Sequence, residues 1–325
     1  MSIVTRIATV AALAAAASFA LPQDGRAVEM ESIHFLIPGG AGGGWDSTAR
    51  GVGEALVEAG LLGSASYENM SGGGGGVAIG NLIKTADRSH GTLMVNSTPI
   101  IVRSISKVFP YSFRDLTPIA GMIGDYEVLA VQPDSDIQSF TDVVEMFKAD
   151  PSSVKIGGGS VRGDLDHIAV ALAFKAAGQD PTKVTYVPYD AGGQALTGLL
   201  TGEVEVLSTG LGEVIDKHRD GQIRIIAVTA PERIDGLDVA TLKEQGVDST
   251  FVNWRGFFGP PGLPEDQAKA YADLLAALTE TDAWATVRDR NGWTDIYNAG
   301  PDFVAFLEDQ EKSIGATLKE LGFVQ

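Results

Sequence analysis

Residues 33–50, IHFLIPGGAGGGWDSTAR, constrain the fold more than any other stretch of this chain. The apolar run 33–37 reads as a buried strand, and Pro38 ends it. Gly39, Gly40, Gly42, Gly43 and Gly44 follow, and Trp45-Asp46-Ser47-Thr48 then opens a helical pattern carrying Val52, Leu56 and Val57. A strand that passes through glycines into a helix start presents bare backbone N–H groups, backed by the helix N-terminus, to an anion. Glycine lets the chain turn there and lets a ligand approach the backbone closely. Taken alone, the same loop is equally a tight turn with a helix cap.

Repetition adds weight to the anion reading. Strand and helix signals alternate from residue 33 onward, the mark of an α/β protein with mainly parallel sheets flanked by helices. Loops rich in Gly, Ser and Thr fall at strand ends at 39–48, 71–76, 96–99, 157–164, 189–193 and 208–212. In an open parallel sheet the carboxyl ends of the strands share one side, and ligands bind in the crevice there. Backbone and hydroxyl donors from these loops would converge on one cleft, which suits a carboxylate. Each charge-assisted hydrogen bond to it contributes roughly 1.5–3 kcal/mol.

Two extended stretches, 131–133 and 251–261, read as crossings between lobes. Their placement predicts one lobe from 28–131 plus 252–325 and a second from 132–251, with hinges near 131–133 and 251–256. Helical patterns at 265–279, 283–291 and 301–321 complete the first lobe.

Composition excludes several classes. The net charge of −18 argues against nucleic acid and anionic membrane surfaces, which need basic patches. Cysteine is absent, so disulfides, thiolate catalysis and thiolate metal sites are excluded. Residues 1–20 carry Arg6 and then a short run of small apolar residues, the pattern of a secretory signal with cleavage after Ala20 or Ala27. The mature chain is therefore expected to be periplasmic, with no membrane insertion once residues 1–27 are removed.

Catalytic signatures are missing. No G-x-x-x-x-G-K-[ST] occurs, and Gly73, Gly75 and Ala78 give only an approximate dinucleotide pattern. G-x-S-x-G fails at Ser160, because Arg162 takes the last place. His34, His90, His167 and His218 are scattered, and neither H-E-x-x-H nor an EF-hand pattern is present. The reading is no catalytic residue, no metal and no cofactor. An exported hydrolase using Ser160 with His167, and a ligand-binding partner of a sensor kinase, are the alternatives.

In order, the blocks PGGAGGGWDSTAR, ENMSGGGGGVAIGNLI, GMIGDYEVLAVQPDS, VKIGGGSVRGD, YVPYDAGGQALTGLLTGEVEV, IRIIAVTAPER and WRGFFGPPGLP resemble the substrate-binding receptors of tripartite tricarboxylate transporters, the TctC or Bug family. The similarity spans about residues 31–325. It implies a two-lobed periplasmic binding protein of the class II type, a monomer that closes on a small organic acid such as citrate. It further implies delivery to a membrane permease of one large and one small subunit. Carried over residue by residue, the ligand-binding loops are Ala41, Gly42, Gly43, Gly44, Trp45 and Asp46, then Gly158, Gly159, Ser160, Arg162, Gly163 and Asp164. Ser97, Thr98, Tyr189, Gly192, Gly193, Ser208 and Thr209 would line the same cleft. Trp45, Arg162 and Asp164 depart from the usual family loops, which carry smaller or hydroxyl residues at those places.

Overall fold

The computed structural model describes residues 30–324, so the expected signal segment lies outside the described residues. The chain begins as the sequence suggests, with β1 (Met30–Ile37), α1 (Gly44–Glu58), β2 (Leu62–Asn69), α2 (Gly76–Lys84) and β3 (Thr92–Ser97), and then adds α3 (Thr98–Ile105) where the sequence reads as a loop. β1 is buried on both faces. Ile33, Phe35 and Ile37 meet one core cluster, and Leu36 meets another. This accounts for an unbroken apolar run rather than an alternating one. β1 pairs in parallel with both β2 and β3.

The second half carries α4 (Phe140–Ala149), β5 (Lys155–Gly158), α5 (Leu165–Ala176), β6 (Thr185–Pro188), α6 (Gly192–Leu200), β7 (Val206–Gly210), α7 (Leu211–Arg219) and β8 (Arg224–Val228). Here β5 pairs in parallel with β6 and β7. The chain then returns through β9 (Val252–Gly259), α8 (Glu265–Thr279), α9 (Asp282–Asn291), β10 (Thr294–Ala299) and α10 (Pro301–Glu320).

The two halves share β4 (Thr117–Val131), a strand of 15 residues. Its first part, Thr117 to Tyr126, runs antiparallel to β9. From Glu127 onward it runs antiparallel to β7 and β8. β10 pairs with β4 as well, and β9 with β3, both antiparallel. The sheets are therefore mixed, not mainly parallel. Strands that cross between halves have no covering helix to make, and antiparallel pairing needs none. Thr229 ties the two crossing strands: its Oγ1 accepts from the Glu127 N–H at 3.0 Å and donates to the Phe251 carbonyl at 2.6 Å.

Four apolar clusters hold the layers. Phe35, Val52, Phe257 and Trp284 fill one side of the first sheet, and Met94, Trp254, Phe258 and Phe303 fill the other. In the second half, Phe140, Ile156 and Phe174 lie on one side, and Leu199, Leu207 and Val214 on the other. The end of α10 also crosses to the second half. Leu318 and Leu321 share a cluster with Ile168 and Ala171 of α5, and Lys175 pairs with Glu320.

Candidate functional site

The carboxyl ends of β1, β3, β5 and β7 open onto one cavity of about 500 Å³ between the halves. The first loop is built by Asp46. Its Oδ2 accepts the Gly42 N–H at 2.9 Å, and its Oδ1 accepts from Arg50 Nε at 2.9 Å and from Asn69 Nδ2 at 3.0 Å. Burial opposes the charge on Asp46, but these donors outweigh it and hold its carboxyl below the usual range. Gly42 takes φ +80°, which only glycine adopts at little cost. The loop thus turns Gly43, Gly44 and Trp45 to the cavity, while Asp46 braces it from behind. Trp45 Nε1 donates to Ser97 Oγ at 2.8 Å, and the guanidinium of Arg103 stands 5.6 Å over its ring.

The second loop, 157–164, is organised differently from the resemblance. Gly159 and Ser160 line the cavity. Gly163 instead gives its N–H to His167 Nδ1 at 3.0 Å, and Arg162 donates to the Tyr186 carbonyl at 2.6 Å. Asp164 caps α5 through the Leu165 N–H and bonds Arg103 Nε at 2.5 Å. Arg103 lies on α3 and lines the cavity, so this buried ion pair links one half to the other. Tyr189, Gly192 and Thr209 line the cavity. Ser208 Oγ donates to the Asp166 carbonyl, and Thr98 Oγ1 is buried without a partner among the described residues. Ala41, Gly158 and Gly193 do not reach the lining.

Ser71–Gly75 and Asp190, from the 71–76 and 189–193 loops expected at the cleft though not named as ligand residues, line the cavity, whereas the side chains of Arg103, Asp166, Glu213, Asn253 and Arg255 were missed. Arg255 and Asn253 are buried polar residues inside β9, next to Trp254. An arginine within the apolar stretch WRGFF was the one available signal. Arg255 Nη2 is 2.8 Å from Asp125 Oδ2 and 3.9 Å from Glu213 Oε1.

These acids sit in a low-dielectric floor. Burial, and then the charge of Glu213, push Asp166 up to about 8. Burial and the neighbouring Asp166 push Glu127 well above the carboxylate range, and burial raises Glu213 and Asp125 against the pull of Arg255. Burial lowers His167 to about 4, and its ring lies between Tyr186 and Phe323, with centroids 4.5 and 4.8 Å away. Ser160 Oγ engages Tyr186 and the Asp166 N–H, not His167. Ser160 and His167 therefore do not form a nucleophile–base pair. No group of three acidic, histidine or cysteine side chains able to hold a metal occurs among the described residues.

Two mixed sheets joined through β4, with flanking helices and a cavity at their junction, are the fold of a solved periplasmic transporter, which superposes with TM-score 0.79 at 22% identity and covers 89% of this chain and 96% of that one. Residues 49–323 match the Tripartite tricarboxylate transporter family receptor, and the chain belongs to that family. Its members are solute-binding receptors rather than enzymes. The protein BugT of Bordetella pertussis is 25% identical over 312 residues, covering 90% of this chain and 94% of that protein. Among solved structures, the R. palustris protein Rpa4515 with adipate superposes with TM-score 0.77 at 21% identity, covering 90% and 97% of the two chains. MatC from Rhodopseudomonas palustris with bound malate gives TM-score 0.75 at 18% identity, covering 89% and 99%. Among the described residues no helix is long and apolar enough to cross a membrane.

Proposed function

We propose that this chain is an exported receptor that binds a small di- or tricarboxylate, citrate-like in size, between two lobes and delivers it to a permease of one large and one small subunit. The observation that carries this reading is the cavity itself. Its wall is made by loops at strand ends of both halves, and Arg103–Asp164 bridges them. A volume of about 500 Å³ is that of a small-molecule site. The related folds solved with malate and with adipate support an organic acid.

The lobes expected at 28–131 with 252–325, and at 132–251, join through β4 and β9, and Glu127–Val131 of β4 belongs with β7 and β8 of the second lobe. The bend falls at 126–127 and 251–252, where β4 changes partner and Thr229 ties the two strands. Ligand held by one lobe recruits donors from the other and shifts the population toward the closed form. The protein works as a periplasmic monomer after removal of its signal segment.

The test is a thermal-shift screen of residues 28–325 against organic acids, amino acids and neutral solutes, with each ligand recovered afterwards. Ligand at 100 times its Kd stabilises the protein by about 2.7 kcal/mol. One or a few carboxylates should shift the transition and be recovered unchanged. A shift by neutral solutes alone would overturn the reading.

A further inference from the structure

Five ionisable side chains gather at the cavity floor: Asp125 and Glu127 from β4, Asp166 from α5, Glu213 from α7 and Arg255 from β9. Asp166, Glu213 and Arg255 line the cavity, and Glu127 lies behind them, 1% exposed. Four carboxyls thus face one guanidinium. Arg255 stands 2.8 Å from Asp125 and 3.9 Å from Glu213. The second guanidinium of the wall, Arg103, is held by Asp164 and the Gly74 carbonyl. Asp166 is buried and makes no ion pair among the described residues, and both carboxyl oxygens of Glu127 are buried with no hydrogen-bond partner there.

Buried carboxyls this close together cannot all ionise at once. Asp166 is pushed up to about 8 by burial and by Glu213, and Glu127 is raised well above the carboxylate range by burial and by Asp166. What else faces Asp166 brings no positive charge to it. Asp164 is paired with Arg103, burial keeps the Tyr186 hydroxyl protonated, His167 is lowered to about 4 and is neutral at pH 7, and Arg162 is turned to the Tyr186 carbonyl. An organic anion in the cavity adds further negative charge to this wall. Arg255 Nε, buried and unpartnered, can donate to it, but that one cation already stands beside two carboxylates. Asp166 is therefore the buried lining carboxyl that meets the anion with no cation beside it.

Resting on the receptor reading above, we propose that the cavity binds its organic anion together with a proton, which sits on the Asp166 carboxyl. The proton comes from solvent and removes the charge on the wall that would oppose the anion. Linkage is reciprocal: the anion tightens the proton by the same factor as the proton tightens the anion. Below the Asp166 titration the proton is already in place, and affinity is level. Above it each binding event draws a proton in, so affinity falls by up to about ten-fold per pH unit.

The experiment is calorimetric titration of the mature chain at pH 8 with succinate, malate, adipate and citrate, each fully ionised there, in Tris and in EPPS, buffers of different ionisation enthalpy. For an acid that binds, the heat should be less exothermic in Tris. The difference should correspond to uptake of about half a proton, because Asp166 is half charged near pH 8. Repeated from pH 6.5 to 9.5, the affinity should be level below pH 7 and decline above pH 8. In Asp166→Asn, confirmed as folded by its thermal transition, the uptake should vanish and the affinity should lose its dependence on pH. A purely structural role for Asp166 would weaken binding equally at every pH and leave the uptake in place. If the variant does not fold, the wild-type heats in the two buffers decide. Equal heats in both buffers, affinity unchanged from pH 7 to 9.5, or uptake undiminished in Asp166→Asn overturns the proposal and leaves the receptor reading standing. Binding by none of the four acids removes that reading, and this inference with it.

Discussion

Asp166→Asn should change how the ligand-free protein responds to pH. Burial and Glu213 raise the Asp166 carboxyl from its ordinary 3.8 to about 8. Between those values the folded chain keeps a proton that the unfolded chain has released. Stability therefore falls as pH rises, by about 1.4 kcal/mol per unit, and the contribution is fully present only below the unfolded value. His167 acts in the opposite sense. Its pKa falls from 6.5 to about 4, so between those values the unfolded chain is protonated and the folded chain is not. That contribution is present above pH 6.5 and is lost on acidification. The two slopes cancel from about pH 4 to 6.5, and Asp166 alone leaves a fall of about 2 kcal/mol between pH 6.5 and 8. In Asp166→Asn the Asp166 share of the fall should be lost, so the variant should gain on the wild type by about 2 kcal/mol between pH 6.5 and 8. Glu127, Glu213 and Asp125 are raised too, but they add declines of the same sign in both proteins. The assay is urea unfolding of both proteins at pH 5, 6.5 and 8, read as the difference between them. A difference that does not move with pH, or that favours the wild type increasingly toward pH 8, would refute the reasoning.

Two further substitutions probe the junction. Arg103→Ala leaves the buried Asp164 carboxylate without its partner from the other half, where removal of one member of a buried pair costs about 3–5 kcal/mol. Small-angle scattering should then show a larger radius of gyration for the ligand-free variant, and an unchanged radius would mean that the pair does not hold the halves together. Thr229→Val removes the bonds to the Glu127 N–H and the Phe251 carbonyl, each buried group left unpaired costing about 1–3 kcal/mol. A drop in the denaturation midpoint is expected, and a neutral result would remove Thr229 as the tie between the crossing strands.

Much of this fold is legible in the chain because its signals are local. The run 33–37, the glycines after it and the start at Trp45 mark β1, its loop and α1 without help from elsewhere. α3 was hidden, since TPIIVRSI follows β3 at once and reads as a strand end passing into a linker. β10, TDIYNA, is half-buried along its length and shows no clean alternation. The antiparallel direction of β4 and β9 was also illegible, because local pattern encodes period and not direction.

The site divides along the same line. Loops at strand carboxyl ends were readable, and Gly43, Gly44, Trp45, Ser97, Gly159, Ser160, Tyr189, Gly192 and Thr209 do line the cavity. Side chains delivered by tertiary packing were not. Glu213 reaches the first loop from α7, and Arg103 meets Asp164 over 61 positions of sequence. Asp166 reads in sequence only as a helix-start carboxylate, because its burial depends on β6 and β7 closing over it.

The most direct test of the central claim is hydrogen exchange by mass spectrometry, with and without the tightest-binding acid. The account predicts slowed exchange in four segments together, 39–45, 71–75, 159–165 and 189–193, since all four loops wall the cavity. Protection confined to the groove beside Phe109–Tyr111, or loops that exchange at the same rate with ligand bound, would contradict it.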